Sequence, residues 1–147
     1  MKLRIVVADE SEAHLLAMDG PRSRLQRLSK LENEAARLHE RDLESDRPGR
    51  SYDRMGVSRH SVGGEHNAQR HQLERFAKQV ADEVERGRIE HAFDRLVLIA
   101  GPRMLGLLRE ALPEASRSAV VAEVAKDLVH GDAEAIRSHI PPEALLG

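Results

Sequence analysis

Apolar and polar positions divide the chain into stretches of distinct period. Leu3 to Ala8 is a short aliphatic run that reads as a buried strand, and Ala13 to Met18 reads as a second strand after a turn at Asp9-Glu10-Ser11. Asp19-Gly20-Pro21 is a further turn. In Arg24 to Leu31 the leucines recur every third residue, which fits strand or helix; the short turns favour a three-stranded meander. Asn33 to His39 has room for a helical turn, and from Glu40 to Asn67 the periodic signal vanishes. It returns with Leu73, Phe76, Ala77, Val80, Ala81 and Val84 on one helical face, with Asn67 suited to cap the start and Gly87 to end it. Phe93 to Ala100 is apolar on both faces and predicts a central strand. Gly101-Pro102 then opens a helix that Pro113 closes, a strand covers about 119–125, and Asp132 caps a last helix stopped by Pro141-Pro142.

The order β-β-β, loop, α-β-α-β-α joins an antiparallel meander to parallel strands with right-handed crossovers. The expected fold is therefore α/β: a three-layer, ribonuclease H-like mixed sheet of about five strands, with a long loop before the main helix. At 147 residues a single domain over 1–147 is expected, with the loop at about 40–67.

Composition narrows the functions this fold could carry. Aromatic residues make up 2 % of the chain, so stacking platforms for single-stranded nucleic acid are nearly excluded. A net charge of −2 gives no global attraction to nucleic acid or anionic membrane, so any such binding must be local. With no cysteine there is no disulfide, thiol nucleophile or Cys-ligated zinc. The N-terminal apolar run meets Asp9 and Glu10 too soon for a signal peptide or membrane span, so a cytoplasmic protein without membrane insertion is expected.

Candidate chemistry is sparse. A two-metal nuclease needs carboxylates converging at strand ends; Asp9 is suitably placed, but Asp94 lies at the wrong end of its strand, so Asp9 reads better as a turn residue. His60, His66 and His71 do not share a helical face, and solvated histidines are the plainer reading; no metal site and no cofactor are expected. Ser51, Ser58 and Ser61 near His60 lack a nucleophile-elbow context. Arg103, just after Pro102, offers a guanidinium beside a helix start, a place suited to an anion or to nothing more than solvent. The loop is more informative. Arg41, Arg47, Arg50, Arg54 and Arg59 are offset by Asp42, Glu44, Asp46 and Asp53, after which acids disappear from 54 to 64. Arginine suits bidentate phosphate contacts, and Gly63-Gly64 permits close backbone approach; a plain insertion with internal ion pairs is the alternative.

Three blocks, E-R-D-L-E-S-D-R-P-G-R-S-Y-D-R (40–54), R-H-S-V-G-G-E (59–65) and F-D-R-L-V-L-I-A-G-P-R-M-L-G-L-L-R (93–109), together resemble the bacterial host-attachment protein family. That family in turn resembles the middle domain of archaeal and eukaryotic peptide-chain release factors, which has a ribonuclease H-like fold. There a basic loop before the long helix carries Gly-Gly-Gln into the ribosomal peptidyl-transferase centre. Here the matching place holds Gly63-Gly64-Glu65. Ionised Glu only accepts hydrogen bonds and is repelled by RNA, so the resemblance implies the role of an RNA or ribosome probe rather than peptidyl-tRNA hydrolysis.

The expected function is thus a release-factor-like domain engaging ribosomal RNA or tRNA through Arg47, Arg50, Arg54, Arg59, Gly63, Gly64 and Arg103, with no DNA partner and catalysis unproven. The alternatives are a non-enzymatic interaction protein in host attachment or surface physiology, and a hydrolase using Glu65 as general base. Oligomeric state is not encoded in any pattern of the sequence.

Overall fold

The computed structural model describes residues 2–38 and 47–146, with side chains over 2–38 and 67–146. Strands β1 (Leu3–Ala8), β2 (Glu12–Met18), β3 (Gln26–Glu32), β4 (Arg95–Ala100) and β5 (Val120–Ala125) form one sheet in the order β3-β2-β1-β4-β5. The β1–β2 and β2–β3 pairs are antiparallel, whereas β1–β4 and β4–β5 are parallel. This is the meander joined to parallel crossovers that the pattern predicts.

Helices cover both faces. Residues 34–38 are helical (α1), followed by α2 (Arg47–Ile89), α3 (Pro102–Ala111), α4 (Glu114–Ser118), α5 (Ala133–His139) and α6 (Pro142–Leu145). On one face Val6, Leu15 and Leu98 pack with Phe76, Val80 and Val84 of α2 and Met104 and Leu108 of α3. On the other, Ile5, Leu16 and Ile99 pack with Val129, Ile136, Ile140 and Ala144. Alternation of side chains across each strand thus feeds two separate apolar layers, and β1 and β4 are buried on both sides. The Asp132 carboxylate accepts the Ala135 N–H at 2.8 Å, the expected cap of α5, a contact worth about 1 kcal/mol. The Pro141-Pro142 stop also begins α6, with Pro142 in its first turn.

The expected long loop is the main difference. The backbone is helical from Arg47, so 47–67 belongs to α2 and Asn67 is interior rather than an N-cap; residues 40–46 lie outside the described residues. Apolar periodicity reports a buried face, and a polar helix segment carries none, so its silence does not exclude helix. Pro48 falls in the first turn, where its missing N–H is tolerated, and no other proline follows before Pro102.

Gly87 likewise does not end the helix. The reversal is made by His91 at φ 58, with Ala92 N–H bonded to Gly87 C=O and His91 N–H to Arg88 C=O, a Schellman arrangement with histidine in the left-handed position. Gly87 has another reason to lack a side chain. A Cβ there would lie 2.9 Å from Arg4 Nη1 and 3.3 Å from Phe93 Cε1. Arg4 is 9 % exposed, and its guanidinium sits 5.1 Å from the Phe93 ring centroid, a cation–π contact that shelters a buried charge.

Candidate functional site: the cleft around Arg103

In sheets with parallel strands, loops at the carboxyl ends diverge where crossovers leave opposite faces, and a crevice opens there. Here β1 ends at Ala8, β4 at Ala100 and β5 at Ala125, which brings Asp9-Glu10, Gly101-Pro102-Arg103 and Asp127 to one edge. Three cavities open along this edge, of about 200, 410 and 220 Å³, and Arg103 lines all three. The largest lies between α2 and α3, with Asn67 and Arg70 on one wall and Arg103, Gly106 and Glu110 on the other.

The first turn of α3 shapes the electrostatics. Its N-cap is Gly101, which has no capping side chain, and Pro102 has no N–H to offer. Leu105 N–H returns to Gly101 C=O, so the Arg103 and Met104 amides are the donors that helix geometry leaves for an outside acceptor. Arg103 Nη1 lies 3.9 Å from Glu10 Oε1, and both side chains are about half exposed, so this pair is loose and solvated. Arg70 donates from Nε to Glu74 Oε1 at 3.1 Å, one helical turn on. Asp9, Asp127 and Glu110 also line these cavities, so the charge is mixed rather than uniformly basic.

The Glu10 wall is rigidly built. Asp9 Oδ1 accepts from the Ser11 N–H, Ser11 Oγ and the Glu12 N–H, which makes Asp9 a turn residue, as the sequence suggests. Buried Asn33 donates its side-chain amide to Glu10 C=O and its backbone N–H to Ser11 C=O. Asp94 is at the opposite sheet edge, where it accepts the Lys2 N–H at 3.1 Å, so the two acids do not converge. Among the described residues no group of three His, Asp or Glu side chains is arranged to hold a metal ion.

Of the residues singled out from the sequence, the structure places Arg103 in the cleft. Arg47, Arg50, Arg54, Arg59, Gly63, Gly64 and Glu65 all lie in the first half of α2, and their side chains are outside the described residues. Helical register sets positions 47, 50 and 54 along one face and 59 on another. Sequence reasoning missed Arg70, Asn67, Glu10 and Asn33. The first two are drawn in by the continuation of α2 past Asn67, whereas no short-range pattern links 33 to 10.

Sheet order and mixed strand polarity define an α/β domain built on one five-stranded mixed sheet, with a cleft at its carboxyl edge. Among solved structures, one described as an archaeal protein superposes with a TM-score of 0.54 at 12 % identity, covering 99 % of this chain and 34 % of the other. A crystal structure of an archaeal translation termination factor, aRF1, superposes with a TM-score of 0.51 at 14 % identity, covering 97 % and 36 %. The chain therefore spans about a third of the length of these proteins, and the likeness is one of fold. By sequence it belongs to the family described as "Protein required for attachment to host cells", which matches residues 4–140. No curated protein matches. Among the described residues no helix is long and apolar enough to cross a membrane.

Proposed function

We propose that this host-attachment family member acts in the cytoplasm as a non-catalytic, release-factor-like domain that engages ribosomal RNA or tRNA. The observation that carries the reading is the run of arginines at 47, 50, 54 and 59 on a helix that continues directly into the wall of the Arg103 cleft. Guanidinium groups along a helix can bind successive phosphates bidentately, and the free amides of the α3 start add neutral donors beside Arg103. The fold shared with a translation termination factor supports the same partner class. Gly63 and Gly64 would let RNA come close to the helix backbone, and Glu65 in place of Gln speaks against borrowing the termination reaction.

Ribosome co-sedimentation across a salt series tests this reading. Binding should weaken steeply with salt, and Arg47/Arg50/Arg54/Arg59→Ala should flatten the log–log salt slope by roughly 3, as expected for four lost phosphate contacts. Absence of binding at low salt, or a variant that binds as tightly as the parent, would refute it. The family description supports a second reading, an interaction protein in host attachment. That reading predicts recovery of the protein on the cell surface, and a strictly cytoplasmic pool would count against a direct role.

A further inference from the structure

His14 is the one buried histidine among the described residues, and neither ring nitrogen has a hydrogen-bond partner. It lies on β2 opposite Val7 of β1, on the face of the sheet away from α2. Charged and titratable groups face it from each neighbouring element. Glu12 of β2 places Oε1 at 3.6 Å from Nε2, too far for a hydrogen bond. From β3 come Arg27 and Lys30, and Lys30 also bridges Glu12 at 3.2 Å and Glu32 at 3.3 Å. From the β5–α5 connection, His130 brings Nδ1 to 3.7 Å of the same Glu12 oxygen. One largely buried carboxylate therefore ties together β2, β3 and the segment before α5.

We infer that Glu12, His14 and Lys30 form a proton-sensitive clasp, with His130 at its rim, that locks the β1–β2 turn at neutral pH and releases it on mild acidification. The lock reaches the cleft through short links: the Glu12 N–H bonds Asp9, Asn33 follows β3 directly, and the Asn33 amide holds Glu10, the partner of Arg103. This inference is independent of what occupies the cleft.

The direction of the effect follows from the surroundings. Burial, then the Arg27 cation, push the His14 ring below the usual histidine range; Glu12 opposes this without cancelling it, and Lys30 adds to it. Burial also works to raise the Glu12 carboxyl, but Lys30 and His14 together hold it below the usual carboxylate range, so it stays ionised. An opened state gives His14 back its ordinary pKa of about 6.5. The opened state then binds the extra proton, so the closed state is fully favoured above that value and loses ground as pH falls toward the lowered pKa of the closed state. His130, with 83 % of its side chain exposed, sits at the solvent rim of this cluster and contributes little.

Histidine-selective NMR titration of the unaltered protein, with amide exchange read on the Glu12 and Asn33 N–H groups, tests the clasp. His14 should titrate below the ordinary histidine value of about 6.5. Exchange, corrected for intrinsic rates, should accelerate by up to about tenfold per pH unit below about 6.5. His14→Leu should abolish that acceleration, and His130→Ala should keep it. If His14 titrates at or above the ordinary histidine value, or if the acceleration is absent from the parent or equal in His14→Leu, the clasp is overturned; should His14→Leu not fold, the titration of the parent decides.

Discussion

The two halves of α2 share one backbone conformation and differ in what supports it. From Leu73 to Val84 apolar residues recur at helical spacing and are buried against β1, β2 and β4. From Arg47 to His66 the large apolar residues are Tyr52, Met55, Val57 and Val62 only, and glycine appears at 49, 56, 63 and 64. In the second half helix follows from packing; the first half has no apolar period in its sequence, and each glycine there costs roughly 1 kcal/mol relative to alanine in a helix. Patterning therefore reports where a helix is anchored, and conformation alone does not reveal where it is useful.

The sharpest way to break this comparison is Phe76→Ala. Loss of a ring that is 2 % exposed should destabilise the domain by about 3–5 kcal/mol in urea unfolding, whereas Tyr52→Ala should change the midpoint little if the first half contributes no global stability. Glycine replacements should then split in sign. Gly87→Ala drives a methyl into Arg4 and Phe93, both nearly buried, and should cost on the order of 1–2 kcal/mol, more than its helix propensity returns. Gly63→Ala and Gly64→Ala should instead raise helical circular dichroism, by about 0.5–1 kcal/mol of local helix stability each. The smallest effect belongs to the helix end. His91→Gly removes a side chain from a left-handed backbone position and should stabilise by a few tenths to 1 kcal/mol, read from the same urea midpoints.

What the sequence made legible follows the same division. Four of the strands, the meander-plus-parallel layout and the α3 and α5 boundaries were readable because each has an apolar pattern closed by Gly, Pro or Asp signals, whereas the third strand was assigned from the short turns around an ambiguous leucine spacing. The continuation of α2 through 47–67 was not, since a polar, glycine-containing stretch without apolar period reads the same whether it is helix or loop. Gly87 read as a helix stop because glycine usually serves that purpose; its close approach to Arg4 and Phe93, far away in the chain, has no local signature. The site was legible in part: Arg103 was found from the Gly-Pro-Arg helix start, while Asn33 and Arg70 reach the cleft through tertiary contacts. His14 was passed over for a related reason, since its burial depends on the register of β2 against β1 and on the segment carrying His130.

The continuous backbone of α2 also has a mechanical meaning. At about 1.5 Å per residue, the 21 residues from Arg47 to Asn67 correspond to roughly 30 Å of helix continuous with the segment that packs on the core. Paired glycines are where helices bend most readily, and Gly63-Gly64 lies about two and a half turns before Leu73, the first buried residue of the described part of the helix. A bend of about 10° there would sweep position 47 through some ~4 Å. By lever geometry alone, a small bend at the glycine pair would be multiplied at positions 47, 50 and 54 and would bear on Asn67 and Arg70 at the cleft wall.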